Sequence, residues 1–268
     1  MSVVLLVRHA NATFGLGSYD QLSEQGVDQA RRLATVLAER SLPVERIVCG
    51  SLERQRRTAE ILATALGDRP VSIDPRWNEY EHMPLIARVK PMYRRHWLMV
   101  ADLARTGNPS RRLQEIIDRA LAQWVDDTLG EHPEEGDPAL ADAPAIVDPR
   151  SGELLQRPDD GRHELDLPDD PADDGIESFV AYRERARRAL EEVSLQPGTS
   201  IVVSSAGTIA AAAAPLLGIE PRGWPGLQRV MVNTSVTKVV RGQRGITLVS
   251  FNEHGHLEGV PGLKVTYR

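Results

Sequence analysis

The stretch Val3-Val4-Leu5-Leu6-Val7-Arg8-His9-Ala10-Asn11 decides the fold class. An apolar, valine-rich run passes without a break into a cation and an imidazole. Such a run reads as a central strand buried on both faces. Ligands in open α/β sheets bind at the carboxyl ends of strands, so Arg8 and His9 stand at a functional edge. Working outward, Ser23 precedes an amphipathic helix to about Arg40, with Val27, Ala30, Leu33, Ala34 and Leu37 on one stripe. Arg46 to Cys49 reads as a strand, Leu52 to Leu66 as a helix closed by Gly67, and Val71 to Ile73 as a third strand. This alternation predicts an α/β protein, a three-layer α/β/α sandwich with a mostly parallel sheet.

Helices are expected over Leu85 to Arg105 and Arg111 to Trp124, then again from Ile176 to Val193. Ser200 to Val203 is a further buried strand, followed by a small-residue helix from Gly207 to Leu217. Gln228 to Asn252 alternates like paired strands joined at Gly242 to Gly245. One domain over residues 1–268 is expected, with a helical cap at 84–125 and an acidic, proline-rich insertion at 126–175. The insertion holds seven of the eighteen prolines and shows no apolar period, so it reads as a surface excursion.

The net charge of -6 conceals an asymmetry. Asp126 to Asp174 carries 17 Asp/Glu against three Lys/Arg, which leaves 29 Lys/Arg against 21 Asp/Glu elsewhere. A basic body suits an anionic substrate. No apolar run approaches the roughly 20 residues that cross a bilayer, and the N-terminal run lacks a basic leader. The single cysteine, Cys49, excludes an internal disulfide and suits a reducing compartment, as a buried core thiol. A cytoplasmic protein with no membrane or nucleic-acid partner is therefore expected. Composition says nothing of oligomeric state.

Three strand ends carry chemistry. A neutral imidazole such as that of His9 is a competent nucleophile, and the guanidinium of Arg8 forks onto phosphate oxygens. Gly50-Ser51-Leu52-Glu53-Arg54-Gln55-Arg56-Arg57-Thr58-Ala59 feeds a helix start, where backbone N–H groups favour an anion. Helical spacing puts Arg54, Arg57 and Thr58 on one side and turns Arg56 to solvent. Arg76-Trp77-Asn78-Glu79-Tyr80-Glu81-His82 offers two carboxyl groups, Glu79 and Glu81, for protonating a leaving alcohol. No cluster has metal-ligand spacing; His254-Gly255-His256 comes nearest, with too few ligands.

Together these pieces resemble the histidine phosphatase superfamily, the phosphoglycerate mutase-like proteins. Arg8-His9 matches its first motif, Leu52-Glu53-Arg54 with Thr58-Ala59 its second, and Trp77-Asn78-Glu79 its third, which selects Glu79 as the acid. Phe14-Gly15, Tyr19-Asp20, Leu22-Ser23, Asn233 to Thr237 and Phe251-Asn252 are similar to one bacterial branch. The resemblance implies metal- and cofactor-free hydrolysis of a small phosphomonoester through a phosphohistidine on His9. Arg8 and Arg54 would hold the equatorial oxygens while Glu79 serves as acid and then base.

The fourth motif departs from the pattern. Val203-Ser204-Ser205-Ala206-Gly207 stands where Val-Ser-His-Gly-Gly is expected, so Ser205 takes the place of a second phosphate-binding histidine. Asn11, His82 and Arg57 are the further pocket candidates, His82 as a compensating imidazole. Two alternatives follow: a mutase-like phosphotransferase, or a non-catalytic phospholigand-binding protein. Retention of both His9 and Glu79 speaks against the second, since binding needs neither nucleophile nor acid.

Overall fold

A computed structural model describes residues 2–13, 20–40, 42–129 and 175–267. Two compact units divide the chain: residues 1–80 with 180–268, and residues 81–179.

The first unit is built on one six-stranded sheet in the order β3-β2-β4-β1-β5-β6. Its strands are β1 (Ser2–Arg8), β2 (Val44–Cys49), β3 (Val71–Ile73), β4 (Gly198–Ser204), β5 (Val236–Gly242) and β6 (Gly245–Glu253). β3, β2, β4 and β1 run parallel; β5 reverses, pairing antiparallel with both β1 and β6. The sheet is thus mostly parallel and the fold is α/β. β1 is central, and its register pairs Val7 with Val203 and Arg8 with Ser204.

Leu5 and Val7 pack with Leu33, Ala34 and Leu37 of α1 (Glu24–Glu39) and Ala59, Leu62 and Ala63 of α2 (Glu53–Ala65). Val4 and Leu6, on the opposite side of the strand, are equally sealed from water. Burial on both faces is why the run lacks alternation. Each such side chain contributes ~1.5–3 kcal/mol when fully buried. Cys49 is buried in the same core. Ser23 caps α1 as its spacing predicts, accepting from the Gly26 amide at 3.0 Å.

Several boundaries differ from the sequence reading. Gln228 and Arg229 belong to a short helix, α8 (Trp224–Arg229), and the hairpin starts only at Val236. The helix expected from Gly207 is α7 (Ala206–Ala213), which tightens into a 3₁₀ turn to Leu217 and stops at left-handed Gly218. α6 runs Phe179–Leu195, starting after the expected Ile176.

In the second unit the helix expected over Leu85 to Arg105 is broken. α3 (His82–Val89) ends at Lys90, a 3₁₀ turn covers Pro91–Arg94, and α4 (His96–Ala104) follows. Pro91 disfavours helical backbone at the residue before it, and Lys90 takes φ −137, ψ 82. α5 (Pro109–Leu129) continues through Asp126, which had been assigned to the acidic stretch. Its apolar stripe runs on through Leu121, Trp124 and Val125, and Asp127 pairs with Arg88 at 3.6 Å, so nothing stops the helix at Trp124. Ile86, Tyr93, Leu103, Leu113 and Ile116 form this unit's core. Nearly all of the acidic insertion, residues 130–174, lies outside the described residues.

Candidate active site

β1 delivers Arg8 and His9 to its carboxyl end, and three segments hold their backbone. The His9 amide donates to Ser204 O at 2.8 Å, and Arg8 N to Ser235 O at 3.1 Å. Asn233 Nδ2 donates to His9 O at 3.0 Å, and the Ala10 amide donates to Thr58 Oγ1 at 3.1 Å. Thr234 takes φ +60 so that its amide reaches Arg8 O at 3.1 Å. A non-glycine residue in that region costs about 1–3 kcal/mol, and such strain persists only where the surroundings over-determine it. Here they do, since residues 233–235 are wholly buried.

The His9 ring has a defined tautomer. Nδ1 lies 2.8 Å from Ala10 O. A carbonyl only accepts, so Nδ1 carries the hydrogen and Nε2 presents its lone pair. Arg54 Nε donates to that lone pair at 3.2 Å. Burial holds the His9 pKa well below its ordinary value, and the cations Arg54 and Arg8 push the same way. The imidazole is therefore neutral near pH 7.

Arg54 stands in the first turn of α2, and its Nη1 meets Asp20 Oδ1 at 2.5 Å. The other oxygen of Asp20 accepts from the Glu53 amide at 2.6 Å, so one carboxylate ties the arginine to the start of its own helix. Arg8 is buried, with Nη1 donating to Met231 O and, at 2.9 Å, to Tyr267 O. Burial lowers its pKa to about 10, against the attraction of Glu79, and it keeps its charge at neutral pH. Arg8 Nε has no acceptor among the described residues.

Glu79 follows a 3₁₀ turn, Pro75–Trp77, that Asp74 caps at the Arg76 amide. Its Oε2 accepts from the Gly207 amide at the start of α7 at 3.0 Å, and its Oε1 from Tyr182 OH at 2.8 Å. A Cβ at position 207 would lie 2.4 Å from Glu79 Oε1, so glycine is what lets the carboxylate reach the helix end. Burial first, then the charge of Glu79, raises the Tyr182 pKa well above its ordinary value, and the phenol stays a donor.

Ser205 is buried where β4 passes into α7, with Oγ 2.9 Å from Gln55 Nε2. Asn11 organises the start of α1: its carbonyl accepts from the Ser23 amide and its side-chain oxygen from Ser23 Oγ at 2.8 Å. Arg57 departs from the expectation. It is exposed and pairs with Glu60 at 3.1 Å along the helix, because the buried stripe of α2 is Gln55, Thr58, Ala59 and Leu62. His82 is the first residue of α3, in the second unit. His256 Nε2 meets Thr234 Oγ1 at 3.0 Å, and His254 Nδ1 meets Asn252 O at 2.7 Å.

Sequence reasoning missed Asp20, Gln55 and Tyr182 as members of this cluster. Gln55 left one signal, a polar residue on the stripe that α2 buries. Tyr182 shares a buried helix face with Phe179, Ala186 and Leu190, a spacing that reads as core and hides the role of its hydroxyl. Asp20 left only its place in the Tyr19-Asp20 pair, which gives no sign of its partners, 33 and 34 residues away.

Among the described residues no group of three or more His, Cys, Asp or Glu could hold a metal ion, and no helix is long and apolar enough to cross a membrane. No curated protein matches the sequence. Solved structures do. Bacillus stearothermophilus YhfR is 17% identical with a TM-score of 0.59, covering 96% of this chain and 100% of its own. Phosphoserine phosphatase from Entamoeba histolytica, in complex with 3-phosphoglyceric acid, is 18% identical with a TM-score of 0.56 and the same coverage. A mycobacterial glucosyl-3-phosphoglycerate phosphatase is 21% identical with a TM-score of 0.52, over 93% of this chain and 98% of its own. These likenesses show the fold. The model of the histidine phosphatase superfamily (branch 1) matches residues 4–140 and 149–254, and the chain belongs to that superfamily.

Proposed function

We propose that the protein is a metal-independent phosphomonoester hydrolase acting through a phosphohistidine on His9. The observation that carries this reading is the state of the His9 ring, neutral, buried, locked at Nδ1 by Ala10 O, with the Nε2 lone pair facing Arg54. An incoming phosphoryl oxygen draws the Arg54 guanidinium from Nε2 to itself, which frees the lone pair for in-line attack. The Nε2–P bond forms as the P–O ester bond breaks, and Glu79 in its acid form gives its proton to the leaving oxygen. Ala10 O then faces a cationic ring through Nδ1–H, a stronger hydrogen bond than before. In the second half Glu79 takes a proton from water, hydroxide attacks phosphorus, and the N–P bond breaks to release phosphate. Arg8 and Arg54 supply the positive charge around the equatorial oxygens, with Ser205 as a further donor.

The substrate class is a small phosphorylated metabolite. Similar structures are described as phosphatases of phosphoserine and glucosyl-3-phosphoglycerate, which supports that class and names no member of it for this chain. Ser205 standing for a second histidine, a single catalytic domain with residues 84–125 inserted in chain order, and a cytoplasmic location belong to the same proposal.

The test is hydrolysis of p-nitrophenyl phosphate with and without EDTA, together with alkaline-quench detection of base-stable, acid-labile phosphate on the protein. Turnover unaffected by chelator and phosphate trapped on His9 are expected. Wild-type turnover by a folded His9→Ala variant would overturn the mechanism.

A further inference from the structure

Gln55 is fully buried on the stripe of α2 that faces the core. Its Nε2 lies 3.1 Å from Trp77 O and 2.9 Å from Ser205 Oγ. The carbonyl of Trp77 only accepts, which fixes the amide with its nitrogen on that side. Both hydrogens of the amide are then committed, one to Trp77 O and one to Ser205 Oγ. Ser205 is thereby an acceptor from Gln55, and its single proton is turned away from the amide. Among the described residues nothing receives that proton, and Ser205 Oγ does not cap α7.

What the amide does elsewhere does not account for its presence. Gln55 Oε1 is buried without a donor, a costly state for a carbonyl oxygen. Gly50 accommodates that oxygen, since a Cβ there would lie 2.0 Å from it. Trp77 O already accepts from Ser204 Oγ at 2.7 Å and does not need a second donor. Among the described residues, the bond to Ser205 is a service that no other group provides. Ser205 is also well placed. The register pairs Arg8 with Ser204, the His9 amide donates to Ser204 O at 2.8 Å, and Ser205 is the next residue along that strand end. Arg54, which donates to His9 Nε2, is the neighbour of Gln55 on the same turn.

We propose that Gln55 is a positioning residue that makes Ser205 a dedicated hydrogen-bond donor to the phosphoryl group at His9. With the amide N–H on the hydroxyl oxygen, the hydroxyl's proton is left free to be given to an anionic oxygen in the site. This inference rests on His9 receiving the phosphoryl.

A double-mutant cycle tests it, with kcat/KM for p-nitrophenyl phosphate and Kd for inorganic phosphate measured on the full chain. Ser205→Ala is expected to lower kcat/KM on the order of 10²-fold, the cost of one preorganised donor. Gln55→Met keeps the length of the side chain and loses the amide; it should lower kcat/KM about tenfold or more. Combined, the two should be no worse than Ser205→Ala alone, because they remove one device. Should Gln55→Met fail to fold, Gln55→Leu completes the cycle. Losses that multiply, or wild-type kcat/KM in the position-55 variant, would overturn the inference, since a merely structural role gives additive effects. A wild-type protein without turnover would instead remove the hydrolase reading. The phosphate Kd cycle then decides the Gln55–Ser205 pairing by itself: non-additive weakening supports it, and independent effects overturn it.

Discussion

Arg54 Nε donates to His9 Nε2 at 3.2 Å, so the proposed nucleophile and a proposed phosphate ligand are in direct contact before any substrate arrives. Asp20 holds the other end of the same guanidinium. The pair Asp20–Arg54 is partly exposed, and such pairs contribute little to stability, ~0–1 kcal/mol. Asp20→Ala should therefore leave the melting temperature within a few degrees of wild type. It should lower kcat/KM about tenfold through loss of orientation. Unchanged kinetics would show that the helix alone positions Arg54.

Tyr182 holds Glu79 from another segment of the chain. Tyr182→Phe removes the hydroxyl's hydrogen bonds to Glu79 Oε1 and with Thr208 Oγ1, at a cost of about 1–3 kcal/mol in stability, with little change in packed volume. The expected kinetic result is a fall in kcat of about tenfold with KM nearly constant, because Glu79 acts in the chemical step. A change confined to KM would place Tyr182 in substrate binding instead.

Gly207→Ala is a sharper probe of the same carboxylate. The added Cβ would meet Glu79 Oε1 at 2.4 Å and Tyr80 Cε1 at 2.8 Å. Overpacking of this kind costs typically ~1–3 kcal/mol. Denaturant titration should report that loss, and kcat should fall roughly 100-fold as Glu79 leaves its seat. Near-normal kcat in the folded variant would show that Glu79 acts from elsewhere.

Acid should destabilise the fold through two histidines. Burial, then His254 and nearby arginines, lower the His256 pKa to about 4, and that of His9 also lies well below its ordinary value. Both imidazoles are neutral in either state above about pH 6.5 and contribute nothing there. Below it the unfolded chain takes up protons that the folded one refuses, so stability falls as pH falls. Each such proton steepens the loss by about 1.4 kcal/mol per pH unit. Urea midpoints at pH 7 and pH 5 should differ less in His256→Asn than in wild type. Equal differences would show that His256 protonates freely in the fold.

The order of strands and helices, and the strand ends at which Arg8, His9, Arg54 and Glu79 stand, were legible along the chain. Periodicity and strand termini are local properties, set by which neighbours are apolar. The buried run of β1 and, apart from half-buried Val27, the stripe of α1 appear where their patterns place them. Boundaries failed where a local pattern was interrupted or outrun, as at Pro91 and at Asp126 in α5.

What only tertiary structure decided is the company each site residue keeps. Glu79 takes its donors from Tyr182 and Gly207, 103 and 128 residues away in sequence, and Arg8 takes acceptors from Met231 and Tyr267. Arg54 and Arg57 are alike in composition and helical spacing, yet Arg54 meets His9 and Asp20 while Arg57 meets Glu60 in solvent. Hydrogen bonds are short and directional, and they depend on which distant backbone groups the sheet brings within about 3 Å. A residue's type and its periodicity select the face it occupies; its partner is selected by the packing of the whole chain.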